Sequence, residues 1–130
     1  MRRIVVLVVL LVAAVSASSA VAATTVKVSL KEFKVVLSTK TAKAGPVTFQ
    51  VKNVGKIDHE LVVVKTGAAA GKLPVKGGKA NEKGSVGEVA VLKPGKGGAL
   101  TRKLAKGKYV LLCNLAGHYQ AGQFASFTVG

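Results

Sequence analysis

From residue 24 onward, apolar and polar positions alternate with a period of two. Val26, Val28 and Leu30 are interleaved with Lys27, Ser29 and Lys31, and Phe33, Val35 and Leu37 carry the rhythm on. Val47, Phe49 and Val51 alternate with Thr48, Gln50 and Lys52. Leu61 and Val63 fall on the same face as His59, and Asp58 and Glu60 on the other. Segments 86–93, 98–104, 108–113 and 123–129 bring the count to about eight strands. Turn signals separate them: Ala44-Gly-Pro46, Asn53-Val-Gly55, Lys93-Pro-Gly95 and Lys106-Gly107. Short strands at this spacing predict an all-β antiparallel sandwich or barrel of seven to eight strands. No segment of this region carries a helical stripe. The exception to the strand rhythm is 66–85, which is rich in Gly, Ala and Lys with Pro74 at its middle. It reads as a long excursion with room for one helical turn. Excursions of this length are uncommon in small domains unless functional or mobile. Asn81 and Glu82 are its only ligand-type residues, so it is read as a structural or mobile connection.

The N-terminus has a different pattern. Arg2 and Arg3 precede an unbroken apolar run over 4–15, and small residues fill 16–23. That order is the pattern of a secretory signal peptide. The expected division is a leader over 1–23 and one domain over 24–130, periplasmic or secreted. If uncleaved, the same segment approaches the roughly 20 residues of a spanning helix and would act as a membrane anchor.

Charge narrows the partners. The chain carries a formal +15, with only 5 acidic residues. The lysines are scattered rather than gathered in one arm, and few aromatic residues accompany them. A single-stranded nucleic-acid groove uses aromatic platforms, so nucleic acid is not expected. The lysine surface either faces water or draws in an acidic partner protein or an anionic membrane surface.

The candidate chemistry sits near the C-terminus. Cys113 is the only cysteine, so it forms no internal disulfide. It is an inert buried residue, a free thiol or a ligand. In Cys113-Asn-Leu-Ala-Gly-His118-Tyr-Gln-Ala-Gly-Gln123 it shares one short loop with one of the two histidines and with a glutamine. Tyr109, Leu111 and Cys113 share a strand face. If that face and the His59 face both point inward, His59 and Cys113 meet at one end of the core. Two imidazoles, a thiolate and a weak fourth donor form the ligand set of an electron-transfer copper site. Met1 is the only methionine and would leave with the leader. Gln123 is therefore the expected fourth donor, through its amide oxygen, and a lowered reduction potential follows. Glu60 and Asn114 directly follow two of these residues; they either steady the ligands by hydrogen bonds or face water. Asn53 to Gly55 reads as a turn.

Taken together, Asp58-His59-Glu60-Leu61, Tyr109-Val-Leu-Leu-Cys113-Asn-Leu-Ala-Gly-His118 and the closing Phe124-Ala-Ser-Phe-Thr-Val129 resemble the cupredoxins, the small blue copper proteins. The resemblance covers the whole domain. It implies a Greek-key β-sandwich with one copper ion, Cu(I)/Cu(II), at one end, held by His59, Cys113 and His118. The usual axial methionine falls on Gln123, as in the stellacyanin type. It also implies a monomeric electron carrier rather than an enzyme. Electrons would pass through His118, and Leu115, Ala116 and Gly117 would form a small docking patch. A copper carrier that delivers the ion to an oxidase is the main alternative. Multicopper enzymes need more histidines than the two present. Zinc would accept the same three strong ligands. A Cys–His nucleophile pair would lack an orienting third group.

Overall fold

A computed structural model describes residues 10–18 and 22–130. Among them there is no α-helix, and no helix is long and apolar enough to cross a membrane. The expected leader lies largely outside the described residues; residues 10–18 are exposed and without regular structure.

Eleven strands follow: β1 (Thr24–Lys31), β2 (Lys34–Leu37), β3 (Thr41–Ala42), β4 (Gly45–Asn53), β5 (His59–Lys65), β6 (Val75–Lys76), β7 (Lys79–Ala80), β8 (Ser85–Leu92), β9 (Gly97–Leu104), β10 (Gly107–Leu112) and β11 (Phe124–Val129). Two sheets stack, ordered β2-β1-β4-β9 and β3-β11-β10-β5-β8, and β6 and β7 form a separate hairpin. The expected all-β sandwich is present, with eight strands of four residues or more. The expectation of a purely antiparallel arrangement is corrected at two places. β1 pairs with β4 in parallel, and β11 with β3. After the β1–β2 hairpin the chain crosses to the far sheet as β3 and returns beside β1, so β4 runs in the same direction as β1.

The alternation read from the sequence sets the interior. Val26, Val28, Leu30, Val47, Phe49 and Val51 of one sheet meet Leu61, Val63, Tyr109, Leu111 and Phe127 of the other, all buried. The rings of Phe49 and Phe127 pack edge to face, 5.5 Å between centroids. Tyr109 stays in this apolar layer because its hydroxyl donates to the Ala105 carbonyl at 2.6 Å.

The five-stranded sheet is apolar on its other face as well. Val62, Val64, Val110 and Leu112 point away from the sandwich and are buried. Strands covered on both sides read as nearly continuous apolar runs, and Leu61 to Val64 and Tyr109 to Leu112 do so. The cover is the 66–85 excursion. Leu73 and Ala80 are buried against that face together with Tyr119. The excursion holds the β6–β7 hairpin and no helical turn, which corrects that part of the expectation. Pro74 removes a backbone donor immediately before β6, and positive φ angles at Gly77 and Gly78 close the turn.

Candidate metal centre

The site lies where β5 begins and β10 ends. β5 and β10 are antiparallel neighbours, with Leu111 opposite Val63 and Leu112 opposite Val62. Continuing that register brings Cys113 beside the start of β5, and the Glu60 backbone N–H donates to Cys113 Sγ at 3.4 Å. His59 arrives on the inward face because Asn53 shapes the approach. Its buried amide donates to the Ile57 and Leu92 carbonyls, both at 2.8 Å, and accepts from the Gly55 N–H at 2.9 Å. The 53–55 segment is thus a turn, as read.

His118 and Gln123 lie on the loop between β10 and β11. The loop closes on itself: the His118 N–H donates to the Leu115 carbonyl, the Gln123 N–H to the His118 carbonyl and the Cys113 N–H to the Gln123 carbonyl. Gly117 and Gly122 have positive φ, which permits the two reversals.

The four residues converge. Cys113 Sγ is 3.9 Å from His59 Nδ1 and 3.4 Å from His118 Nδ1. One ligand atom from each of His59, Cys113 and His118 lies within 4.8 Å of the others. Gln123 bridges the imidazoles, with Oε1 3.1 Å from His118 Nδ1 and Nε2 3.0 Å from His59 Nδ1. The same nitrogen donates to the Lys31 carbonyl at 3.2 Å. A metal about 2.3 Å from a thiolate and about 2.0 Å from an imidazole nitrogen spaces those donors by roughly 3.5–3.9 Å. Both sulfur–nitrogen separations fit an ion held between Cys113 and each imidazole.

His59, Cys113 and Gln123 are fully buried, whereas His118 is partly exposed. Burial pushes the Cys113 thiol up, and the Glu60 and Leu115 amides only partly offset this. A cation is therefore needed to hold the thiolate, and ligation supplies one. Burial and the neighbouring His59 hold His118 below its ordinary value of 6.5. It is then neutral near pH 7, as a nitrogen ligand must be.

Glu60 and Asn114 divide. Asn114 is buried and pairs with the β6–β7 hairpin: its Nδ2 donates to the Ala80 carbonyl at 3.0 Å, and its Oδ1 accepts from the Ala80 N–H at 2.8 Å. It steadies the loop from outside. Glu60 is half-buried, and desolvation, with repulsion from Glu88 and Glu82, raises its carboxyl. The contact of Glu60 with the site runs through its backbone N–H.

Two contributors lie in the β1–β2 turn and escape the sequence reading. Glu32 Oε1 accepts from the Lys56 N–H at 2.8 Å and the Ile57 N–H at 3.0 Å, and lies 3.1 Å from His59 Nε2. Its carboxyl is lowered from 4.5 to about 2, first by its own backbone N–H and then by those of Lys56 and Ile57 and by His59, against desolvation. Phe33, read as a strand position, sits edge-on to His118 with ring centroids 5.0 Å apart. The only sequence hint for either is the change of phase in the apolar rhythm between Leu30 and Phe33.

No family model matches the chain, and no curated protein matches it by sequence. Solved structures do. A dithionite-reduced auracyanin from Roseiflexus castenholzii is 24% identical, covering 82% of this chain and 97% of that one at a TM-score of 0.62. Auracyanin A of Chloroflexus aurantiacus, a "blue" copper protein, is 19% identical, covering 84% and 100% at a TM-score of 0.61. Rusticyanin of Thiobacillus ferrooxidans is 18% identical, covering 82% and 77% at a TM-score of 0.62. The chain has the cupredoxin fold. Its closing loop and its buried His–Cys pair lie at the end of the cupredoxin sandwich where β5 and β10 meet. The excursion between β5 and β8 covers the outer face of the five-stranded sheet.

Proposed function

We propose that this cupredoxin-fold chain is an exported type 1 copper protein that carries single electrons between partners. The strong ligands are His59 Nδ1, Cys113 Sγ and His118 Nδ1, and Gln123 Oε1 is the weak fourth donor. The observation that carries the reading is the meeting of the two imidazoles and the thiol within 4.8 Å. Similarity to auracyanin A, a blue copper protein, supports it. Bound copper supplies a one-electron couple that uses soft sulfur in one state and nitrogen in the other.

The protein's part is to keep the donors still and dry. His59 opens β5 and Cys113 directly follows β10, its neighbour in a sheet buried on both faces, and Gln123 spans the imidazoles. Such a frame keeps the ligand geometry nearly constant when an electron moves. His118 is the partly exposed member, and Leu115, Ala116, Gly117 and Phe33 surround it with a small, weakly polar surface. Transient redox partners dock through patches of this small size. The lysine-rich remainder would steer an acidic partner or an anionic membrane surface toward it. Burial of His59, Cys113 and Gln123 favours electron transfer over delivery of the ion, since a carrier must release its cargo through an open ligand set.

The test is the visible spectrum of purified protein after addition of cupric ion with the thiol kept reduced. An intense orange-red absorption band, absent in Cys113→Ser, is expected. A colourless wild type, or a band that survives in the variant, overturns the reading.

A further inference from the structure

The β1–β2 turn, residues 31–34, reaches three of the four candidate ligands. The Lys31 carbonyl accepts from Gln123, the Phe33 ring abuts His118, and the Glu32 carboxylate faces His59. Of these contacts, the one to Glu32 is the most constrained. A single oxygen, Oε1, lies 2.8 Å from the Lys56 nitrogen, 3.0 Å from the Ile57 nitrogen and 3.1 Å from His59 Nε2. The two amides are donors by nature and fix the carboxylate on the strand of chain that leads into His59. A carboxylate only accepts, so the histidine must present Nε2–H to it. The other face of the ring agrees. Gln123 Nε2 is 3.0 Å from His59 Nδ1. An amide nitrogen donates, so Nδ1 is the bare acceptor, and Nδ1 is the atom nearest Cys113 Sγ.

The chain also keeps room for this carboxylate. A Cβ on Gly55 would stand 2.5 Å from Glu32 Oε1 and 2.8 Å from Oε2. Glycine at 55 therefore leaves space for the seat of Glu32, in the turn that Asn53 holds in place.

We propose that Glu32 is a positioning residue for the metal centre: it fixes the ring of His59 with its proton on Nε2 and Nδ1 bare, and its negative charge favours the more highly charged oxidation state of the bound ion. The inference rests on the copper reading for its second half only. Carboxylate–histidine–metal relays fix tautomer and ring orientation and raise ligand basicity. The charge lowers the reduction potential in the same direction as the amide donor Gln123.

The experiment has one readout without metal and one with copper. In metal-free protein at mildly alkaline pH, long-range proton–nitrogen NMR reports which ring nitrogen of His59 carries hydrogen. Wild type is expected to show Nε2–H alone. Glu32→Gln retains an oxygen for the three donors and should preserve that tautomer, whereas Glu32→Ala should give a mixture. Gly55→Ala, which displaces the carboxylate without removing it, should also give a mixture. In copper-loaded protein, Glu32→Gln should raise the midpoint potential with the absorption band unmoved, because charge is lost and orientation kept. A mixed tautomer in wild type, or an Nε2–H tautomer that persists in both Glu32→Ala and Gly55→Ala, overturns the positioning role. An unchanged or lower potential in a coloured Glu32→Gln overturns the electrostatic role. A wild type that takes up no copper overturns the copper reading and with it the electrostatic role, while the tautomer result still decides the positioning role.

Discussion

The two imidazoles of the site are held in opposite ways. His59 is on a strand, fully buried, with the Glu32 carboxylate on one ring nitrogen and the Gln123 amide on the other. His118 rides a self-closed loop, partly exposed, with a phenyl edge from Phe33 and the Gln123 oxygen as neighbours. The first is part of the interior and would contribute to folding as well as to the proposed binding. The second is at the surface, where the proposed partner would reach it. A centre of the proposed kind, both rigid and accessible, would divide those demands between its two nitrogen donors.

The largest expected difference between them is in stability. His59→Ala empties a buried position among packed strands and removes one partner each from Glu32 and Gln123. A loss of about 2–5 kcal/mol is expected by analogy with large-to-small core changes. His118→Ala should stay within about 1 kcal/mol, as for half-exposed positions. Both should abolish the copper band. Denaturant unfolding of the metal-free proteins checks the contrast, and equal losses would break it.

The loop's outer brace comes next. Asn114→Ala strips the partner from both the N–H and the carbonyl of buried Ala80. A cost of about 1–3 kcal/mol follows from leaving such groups unpaired. Because the Gly117 N–H also donates to the Gly78 carbonyl at 2.8 Å, the variant should loosen the His118 side alone. Faster amide hydrogen exchange over 115–122, with β5 unchanged, is the expected signature.

Gln123→Met sharpens the comparison electrically. A thioether favours the reduced ion relative to an amide oxygen, so the potential should rise, by about 59 mV for each tenfold change in relative preference. An unchanged or lower potential in a redox titration would remove Gln123 from the ligand set.

The smallest effect is on pH dependence. The fold holds His118 below 6.5, so below that pH the unfolded chain binds the proton first. Metal-free stability should then fall as pH drops from about 6.5, with the slope set by the difference in bound protons. Glu32, lowered from 4.5 to about 2, contributes stability that is present above 4.5 and lost as pH falls toward 2. His118→Ala should flatten the upper part of the curve and Glu32→Gln the lower part.

Much of this was legible in the residues. Period-two alternation placed the strands and the inward faces, because a strand's side-chain direction is fixed by counting. The spacing of Cys113, His118 and Gln123 placed three candidate donors on one loop, and His59 joined them by face. Glu32 and Phe33 were not legible. Their roles depend on where a two-residue turn lands after the sandwich closes, and no periodicity reports that. The parallel β1–β4 pairing was hidden for the same reason, since it follows from β3 crossing between sheets. The job of the 66–85 excursion was half visible. Val62, Val64, Val110 and Leu112 form an apolar face with no strand to cover it, and that absence signals that something else must.

The excursion's cover also bears on solubility. A chain trimmed to a tight connection between Lys65 and Ser85 would keep every candidate ligand. It would also bare Val62, Val64, Val110 and Leu112 as one greasy plane. Contiguous exposed patches of that kind drive self-association. Such a truncation would be expected to form colourable but sticky particles, so the segment that carries no candidate ligand would be the one that limits self-association.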